Sequence, residues 1–383
     1  MKDYKEEYKK RISQLLQSYE RNYGQFLKER YKDCKHICIW GVGNMGRNLP
    51  QLLKKYDIEV DCYCDNDKRK IGMDVHNYGI KCVSLEELLK VKDETAVVVP
   101  TRYYKEIYQQ LKELDFPIVD RIFHVKFIID DFLNSVDISE VILKLQNTID
   151  LLADEESCRV LTRLVEEWTR NEYYYGQLDD ICSLPQYFPC DLMERNTDEV
   201  FVDCGAYNGD NIQDFINFEK GEFKSYYAFE LNKKNFEELK ENVHHSWPEY
   251  EHKFILENQG ISDTTMPIMY VDACEGSKVN GGGTEKGYVV SIDDYFADSD
   301  EKVSFIKMDI EGAEMAALEG AKKTIRRHFP KLAICIYHKL EDFWDIPMFI
   351  KNLGGGVYRI YIRHHTELTT ETVCYAIKEN DND

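Results

Sequence analysis

Along this chain, segments with an apolar residue at every third or fourth position alternate with short continuous apolar runs. Over residues 3–33 the aromatic and aliphatic side chains recur every three or four positions, a spacing that predicts an amphipathic helix. We therefore expect the N-terminal segment, residues 1–33, to be one helix. Its apolar face has two uses that the pattern leaves open: packing on its own domain, or pairing with a second copy of the chain in a homodimer.

Residues 34–125 alternate short apolar runs with helix-like stretches. The runs HICIW, EVDCYC and TAVVVP are typical of buried strands, and a glycine-rich turn follows the first of them. Strands that alternate with helices indicate a parallel α/β sheet, so we predict a small Rossmann-like domain of the nucleotide-binding type. Residues 126–197 have a mostly helical pattern and are expected to form a connector.

Residues 198–383 return to the alternation of strands and helices and predict a second α/β sheet. The chain ends with the runs YRIYIRHH and ETVCYAI, which predict an antiparallel hairpin. The fold class is therefore α/β, with two Rossmann-like sheets in one chain. The run GGGTEKG at 281–287 indicates a loop, either a lid over a substrate or an ordinary turn.

Composition and charge limit the partners. The 383 residues carry a net charge of −21, and the negative excess falls after residue 130. Phosphate-rich partners are held mainly by Lys and Arg, so we expect no nucleic acid and no anionic membrane surface as partners. No apolar run approaches the roughly 20 residues of a membrane span. The charged first 33 residues are unlike a secretory signal, and we expect a cytoplasmic protein.

The first glycine-rich turn is Gly41-x-Gly43-x-x-Gly46, and Asp65 ends the next strand. Such glycines let a backbone approach a pyrophosphate while the acid accepts ribose hydroxyls, which predicts a nucleotide or nucleotide-sugar site. The same glycines also serve simply to pack a helix on a strand. A nicotinamide-dependent epimerase or dehydrogenase is the alternative enzyme here. The single Tyr-x-x-x-Lys spacing, Tyr31 to Lys35, precedes the turn and is misplaced for that chemistry.

The second glycine-rich turn is Asp203-x-Gly205-x-x-x-Gly209, directly after an apolar strand. Glu230 ends the following strand, where its carboxylate can accept hydrogen bonds from both hydroxyls of an adenosine ribose. The wider glycine spacing differs from the dinucleotide pattern and favours S-adenosylmethionine (SAM) over NAD. These four residues are the predicted cofactor site.

The C-terminal part resembles the FkbM family of SAM-dependent methyltransferases. The matching runs occur in the family's order over about residues 186–377, and KMDIEGAE followed by LEGA is the most specific of them. The resemblance implies the seven-stranded methyltransferase fold and O-methylation of a hydroxyl on a sugar, glycan or secondary metabolite. More loosely, the N-terminal region resembles small Rossmann-like domains that precede some sugar-modifying transferases.

Methyl transfer to a hydroxyl requires alignment of donor and acceptor and benefits from a base or a metal ion that removes the proton. Asp309 ends the run FIKMD, Glu311 follows it, and His338 ends LAICIYH. We predict His338 or Asp309 as the base, with Glu311 nearby. Asp309 could instead cap a helix, and His338 could be structural.

Two further roles remain open at this stage. A divalent metal ion is a candidate cofactor, held by the hard oxygen ligands of Asp309, Glu311 and Glu314. His364 and His365 are candidates for the acceptor site, but they are equally consistent with a surface loop. A non-catalytic module with two binding domains is the remaining alternative, and the intact pair of Asp203 and Glu230 speaks against it.

Overall fold

The structure is a computed structural model. It describes residues 4–19, 23–74, 76–101, 103–122, 124–171, 178–271, 278–279 and 285–378. The chain divides into two compact units. One unit comprises Lys10–Leu143 and Arg163–Asp180, and the other comprises Met1–Lys9, Lys144–Thr162 and Ile181–Asp383.

The N-terminal segment contains two helices where one was expected, α1 (Tyr4–Ser18) and α2 (Tyr23–Arg30). Residues 20–22 between them lie outside the described residues. The apolar positions of both helices are buried by the chain itself: Ile12 is 0% exposed and Leu27 is 1% exposed. This burial favours packing within the chain, the first of the two uses predicted for the apolar face.

The first unit contains a five-stranded parallel sheet. Its strands are β1 (His36–Trp40), β2 (Cys62–Cys64), β3 (Cys82–Val83), β4 (Thr95–Val98) and β5 (Ile118–Asp120). The strand order is β3-β2-β1-β4-β5, and every neighbouring pair is parallel. The helices between the strands are α3 (Leu49–Lys54), α4 (Leu85–Leu89) and α5 (Tyr104–Glu113). Apolar side chains cover both faces of the sheet, as a parallel sheet requires.

Three helices occupy much of the expected connector at 126–197, namely α6 (His124–Ser135), α7 (Ile138–Leu151) and α8 (Glu155–Thr169). The segment is not one separate body. The boundaries between the two units fall within α7 and within α8, so each unit includes part of it. The helical pattern alone carried no information about this division.

The described residues of the second unit contain eleven strands, of which the first ten in chain order are β6 (Val200–Cys204), β7 (Ser225–Phe229), β8 (Phe254–Glu257), β9 (Gly260–Ile261), β10 (Met266–Val271), β11 (Lys278–Val279), β12 (Glu285–Val290), β13 (Phe305–Met308), β14 (Lys331–Cys335) and β15 (Tyr358–His364). The strand β16 (Thr372–Lys378) completes the sheet after them. Its helices are α9 (Ile212–Glu219), α10 (Lys233–Ser246), α11 (Ile292–Tyr295), α12 (Glu314–Glu319), α13 (Lys322–His328) and α14 (Asp342–Gly354).

Seven of these strands form the main sheet in the order β15-β16-β14-β13-β6-β7-β8. Only β16 runs antiparallel to its neighbours, β14 and β15. The predicted α/β class, the seven-stranded methyltransferase sheet and the C-terminal hairpin are confirmed. Aromatic rings fill the core beneath β6, where Phe201 and Phe215 stack at 4.7 Å.

A second, four-stranded sheet of order β11-β10-β12-β9 was not predicted. The glycine-rich run at 281–287 was predicted to be a loop, but its residues 285–287 belong to β12. Residues 281–284 lie outside the described residues, so the lid and turn interpretations stay open only there. Within the described part of the chain, no helix combines the length and the apolar composition that a membrane crossing needs.

Candidate active site

The second glycine-rich turn connects β6 to α9 and brings three strand ends together. Gly205 and Gly209 have φ angles of +84° and +87°, a region that favours glycine. A Cβ on Gly205 would collide with the main-chain carbonyl oxygen of Asp309, at the end of β13. The amides of Gly205 and Ala206 donate hydrogen bonds to the carbonyl of Phe229, at 2.9 and 3.0 Å. The turn therefore lies against the ends of β7 and β13.

Glu230 directly follows β7 and is 8% exposed. Its Oε2 accepts a hydrogen bond from the amide of Tyr207 at 2.9 Å, and its Oε1 accepts one from the amide of Asn232 at 2.7 Å. Burial raises the pKa of Glu230 to about 7, although both amides lower it. Each carboxylate oxygen has two lone pairs, so each retains one that could accept a hydroxyl of a ligand.

Asp203 lies behind the glycine turn instead of facing outwards. It forms an ion pair of 2.9 Å with Lys307 of β13, and both side chains are 1% exposed. Its other oxygen accepts a 2.6 Å hydrogen bond from Tyr226. Lys307 also donates to the carbonyl of Gly205 at 2.8 Å. Asp203 was predicted to bind the cofactor, but its buried carboxylate is placed to support the turn through Lys307.

A histidine and three carboxylates meet beside this turn, at the ends of β13 and β14. The Nε2 atom of His338 lies 3.5 Å from Asp309 Oδ1 and 3.7 Å from Glu311 Oε2. The Nδ1 atom lies 3.0 Å from Glu314 Oε1. The ligand-type atoms of Asp309, Glu314 and His338 all lie within 4.8 Å of one another. The structure thus places Asp309 and Glu311, two of the three residues that were predicted to act on the acceptor, within 4 Å of the third, His338.

The surroundings of His338 are strongly acidic. Its side chain is 10% exposed, and Glu314 is completely buried. Burial by itself lowers the pKa of His338, but the adjacent carboxylate of Glu314 and the charges of Asp309 and Glu311 raise that pKa to about 9. Glu314 Oε1 also accepts a 2.9 Å hydrogen bond from the amide of Ile310, which fixes the carboxylate at the start of α12.

Two tyrosines that sequence reasoning missed hold the carboxylate of Asp309. Tyr187 donates to Oδ2 at 2.8 Å, and Tyr337 donates to Oδ1 at 3.2 Å. Tyr337 precedes His338 in the chain, and this position is a signal that could have identified it. Tyr187 lies in the distant run PQYF, and its position next to no other site residue in the sequence gives no such signal. Asp309 therefore does not act as a helix cap but as an acceptor fixed on both oxygens.

Several residues of this group have left-handed backbone conformations. Tyr187 has a φ of +65°, Glu311 of +59° and Glu371 of +60°, and in the neighbouring glycine turn Tyr207 has a φ of +49°. Such conformations cost free energy and are frequent at functional sites. Glu371 accepts a 2.7 Å hydrogen bond from Gln186. Its pKa is raised by burial and by the charge of Asp309, which places a further carboxylate near the group.

His364 and His365 are buried, and the surface-loop interpretation of them is wrong. They are 0% and 6% exposed. His364 Nδ1 lies 2.8 Å from the hydroxyl of Thr372, and His365 Nε2 lies 2.8 Å from the hydroxyl of Tyr375. Burial lowers the pKa of each imidazole to about 4. Their partners make them structural residues of the hairpin.

The first glycine-rich turn is built around its own acid. Asp65 Oδ2 accepts a hydrogen bond from the amide of Val42 at 2.9 Å and pairs with Lys70 at 2.8 Å. Burial raises the pKa of Asp65, but Lys70 and the amides outweigh it and lower the pKa below the usual value. The helix after the turn, α3, has six residues. Gly41, with φ of +103°, and Gly43 have open space where a side chain would project. Asp65 is thus engaged by the turn itself.

Two family models match separate parts of the chain. Residues 203–357 match the family model described as the methyltransferase FkbM domain. Residues 33–122 match the family model described as C2185-like, N-terminal. None of the curated proteins matches the chain.

Among solved structures, the chain resembles the methyltransferase FkbM from Methylobacillus flagellatus KT, with a TM-score of 0.74 and 22% identity over 98% of this chain and 99% of that chain. SMU.1697c from Streptococcus mutans, solved with S-adenosylhomocysteine (SAH), has a TM-score of 0.30 and 13% identity over 49% and 92% of the two chains. Fibrillarin from Aeropyrum pernix, with natively bound SAM, has a TM-score of 0.31 and 14% identity over 49% and 70%.

Proposed function

Since this chain carries a methyltransferase FkbM domain and is a SAM-dependent methyltransferase, we propose that it methylates a hydroxyl group of a sugar, glycan or secondary metabolite. The observation that carries the proposal is the position of Gly205. Its close approach to the main chain of Asp309 puts the glycine turn directly beside the histidine and carboxylates. A donor bound at the turn and a hydroxyl bound at that group would be neighbours.

SAM would bind along the ends of β6 and β7. The turn from Gly205 to Gly209 lets the backbone approach the amino-acid part of the cofactor, because no Cβ intervenes. Glu230 would accept hydrogen bonds from the two ribose hydroxyls through the lone pairs that the amides of Tyr207 and Asn232 leave unused. Asp203 would contribute indirectly, since it holds Lys307 against the turn.

The reaction is an in-line displacement at the methyl carbon. The bond between the carbon and the acceptor oxygen forms as the bond to the sulfonium sulfur breaks, and SAH leaves as a neutral thioether. The acceptor hydroxyl also loses its proton, and the carboxylates of Asp309 and Glu311 lie beside the turn, where they can accept it. Because the pKa of His338 is raised to about 9, His338 can act as the base only after it has lost its own proton. Alignment of the two substrates contributes most of the remaining acceleration.

The acidic lining of this region supports a polyhydroxyl acceptor. Carboxylates only accept hydrogen bonds when ionised, so Asp309, Glu311 and Glu371 match an acceptor rich in hydroxyl donors. A phosphate or carboxylate group placed there would be repelled by the same charges. These features favour a neutral sugar or polyol as the acceptor.

Binding of SAH, measured by calorimetry, tests the cofactor part of the proposal. We expect saturable binding that Glu230→Ala weakens by at least about tenfold, the loss of one hydrogen-bonded charged group. Glu222→Ala is the matched control, because Glu222 is a largely exposed carboxylate paired with Arg195. Absence of SAH binding to well-folded wild-type protein, or equal losses in both variants, would contradict the assignment.

No observation favours a second function for the first unit. Asp65 Oδ2 accepts hydrogen bonds from both the amide of Val42 and the ammonium group of Lys70, so, unlike the oxygens of Glu230, it keeps no lone pair for a ribose hydroxyl. Tyr31 and Lys35 lie before the turn. Neither an epimerase nor a dehydrogenase therefore enters the proposal. The burial of Ile12 and Leu27 by the chain itself likewise gives no support to a dimer formed through the N-terminal helices.

A further inference from the structure

Two cysteines lie side by side in the parallel sheet of the first unit. Cys38 of β1 and Cys62 of β2 are register partners on neighbouring parallel strands, so their side chains lie on the same face of the sheet. Among the strand pairs that the structure describes, this is the one position at which a cysteine is paired with another cysteine. Both thiols belong to the same layer of apolar side chains, so two oxidisable groups are neighbours within one core.

The spacing of the strands brings the two sulfur atoms within reach of a covalent bond. Neighbouring strands are about 4.8 Å apart, and the Cα atoms that a disulfide joins are roughly 4.4 to 6.8 Å apart. Side chains stand nearly perpendicular to a sheet, so the two Cβ atoms keep about the strand spacing, slightly more than is usual in disulfides. A bond formed here would be strained, and strain makes a disulfide easier to reduce. We propose that Cys38 and Cys62 form a reversible redox-modification site, at which a hydroperoxide converts the two thiols into a disulfide.

The two thiols differ in a way that sets the order of reaction. Cys62 is partly exposed, whereas Cys38 is 0% exposed. The adjacent Cys38 thiol lowers the pKa of Cys62 below the usual value, although burial and the charge of Asp61 act against it. Burial holds the pKa of Cys38 well above its usual value. Since the thiolate is the reactive form, Cys62 is oxidised first and Cys38 completes the disulfide.

The reaction consumes one molecule of hydroperoxide and no other reagent. The Cys62 sulfur attacks one peroxide oxygen, the O–O bond breaks, and the leaving oxygen takes up the thiol proton, which gives a sulfenic acid and, with hydrogen peroxide, one water. The Cys38 sulfur then attacks the Cys62 sulfur. The S–S bond forms as the S–O bond breaks, and the hydroxyl leaves as water with the proton of Cys38. The two thiols are oxidised and the peroxide is reduced, and a dithiol reductant restores both thiols by exchange.

The other two cysteines of this sheet have no cysteine beside them in register. Cys64 is paired with Trp40 and Val83, and Cys82 is paired with Tyr63. Both cysteines are buried. Burial raises the pKa of Cys64 to about 12 and that of Cys82 to about 11. Neither thiol therefore combines the access, the ionisation and the partner that the proposed reaction needs.

The disulfide would lie directly before the first glycine-rich turn. Cys38 precedes Gly41 by three positions, and the amide of Gly41 donates a 2.8 Å hydrogen bond to the carbonyl of Cys64 on β2. The two strands that the disulfide would join are therefore those that hold this turn and Asp65. The modification belongs to the first unit, whereas the proposed SAM site belongs to the second.

Peroxide treatment of the folded, full-length chain, followed by peptide mass spectrometry, tests the site. The reduced chain is treated with hydrogen peroxide, the remaining thiols are alkylated, and the digest is searched for disulfide-linked peptides. Cys182 and Cys190 are exposed, so the peroxide concentration is raised until these two thiols are oxidised. We expect a peptide pair linked through Cys38 and Cys62, which dithiothreitol converts back into two free thiols.

Single substitutions separate the two steps of the reaction. Cys38→Ala should lose the disulfide and accumulate a sulfenic acid at Cys62 that dimedone traps, whereas Cys62→Ala should leave the buried Cys38 reduced. Cys64→Ala is the matched control, because Cys64 is the next cysteine on the same face of β2, and it should form the disulfide like the wild type. Circular dichroism of each variant establishes that the fold is retained.

Two results would overturn the proposal. One is a wild-type chain in which Cys38 and Cys62 both stay reduced although the exposed cysteines are oxidised. The other is a disulfide that joins Cys62 to Cys64 or Cys82 instead of Cys38.

Discussion

Replacement of Asp203 by Asn should strongly destabilise the unit that contains the seven-stranded sheet. The amide has nearly the same shape and can still accept the hydrogen bond of Tyr226, but it leaves the ammonium group of Lys307 buried without its ion-pair partner. Removal of one member of a buried ion pair costs about 3 to 5 kcal/mol. Asp309 also contributes favourable charge at Lys307, so we expect the lower value, about 3 kcal/mol.

For a domain of this size, about 3 kcal/mol corresponds to a decrease in Tm of roughly 6 to 12 °C. Urea denaturation at pH 7, followed by far-UV circular dichroism, measures the loss directly. Lys307→Met and the double variant complete a double-mutant cycle. The double variant should be less destabilised than the sum of the single changes, because the uncompensated charge is absent. A loss below about 1 kcal/mol for Asp203→Asn, with additive effects in the cycle, would refute the reasoning.

Three further predictions follow from individual residues. Gly205→Ala should abolish SAH binding in calorimetry, because its Cβ would collide with a main-chain oxygen, whereas Gly43→Ala, which has open space, should bind SAH like the wild type. SAH affinity should decrease as the pH falls below 7, at most about tenfold per unit, since the carboxyl group of Glu230 becomes protonated below its raised pKa; Glu230→Gln should remove this dependence. The depressed pKa values of His364 and His365 mean that the unfolded chain binds more protons between pH 6.5 and 4. The free energy of unfolding, measured with urea at several pH values, should therefore decrease as the pH is lowered from 6.5 to 4, by up to about 1.4 kcal/mol per pH unit for each histidine. His364→Gln should make this pH dependence less steep. A flat pH profile in either experiment would contradict the corresponding assignment.

The strands and turns that carry local patterns were predictable. Glu230 follows an apolar strand, and Gly205 and Gly209 follow another, so their positions at neighbouring strand ends could be inferred from strand order alone. The adjacency of Asp309 and His338 followed from the same rule. The positions of these residues could be predicted from one rule, that the carboxyl ends of parallel strands lie at the same edge of a sheet.

The role of Asp203 could not be inferred in this way. An acid at a strand end is compatible with an exposed or a buried carboxylate, and only the partner decides between them. Lys307 was the available signal, because a lysine inside the apolar run FIKM requires a buried carboxylate. The pairing of Tyr187 with Asp309 spans 122 positions and has no local pattern at all.

Local reasoning also failed for the four-stranded sheet. Its central strands, β10 and β12, pair antiparallel, but they are separated in the chain by residues of turn-like and polar composition. For His364 and His365 the sequence left two interpretations open, the acceptor site and a surface loop. Hydrogen bonds with Thr372 and Tyr375, eight and ten positions later in the chain, make their burial possible.

A crystal structure of the chain with SAH tests the central claim most directly. We predict that the ribose hydroxyls lie within hydrogen-bond distance of Glu230, and that the sulfur atom points towards Asp309 and His338. The amino-acid part should lie against the turn from Gly205 to Gly209. SAH bound at another place, or bound with its ribose away from Glu230, would contradict the account.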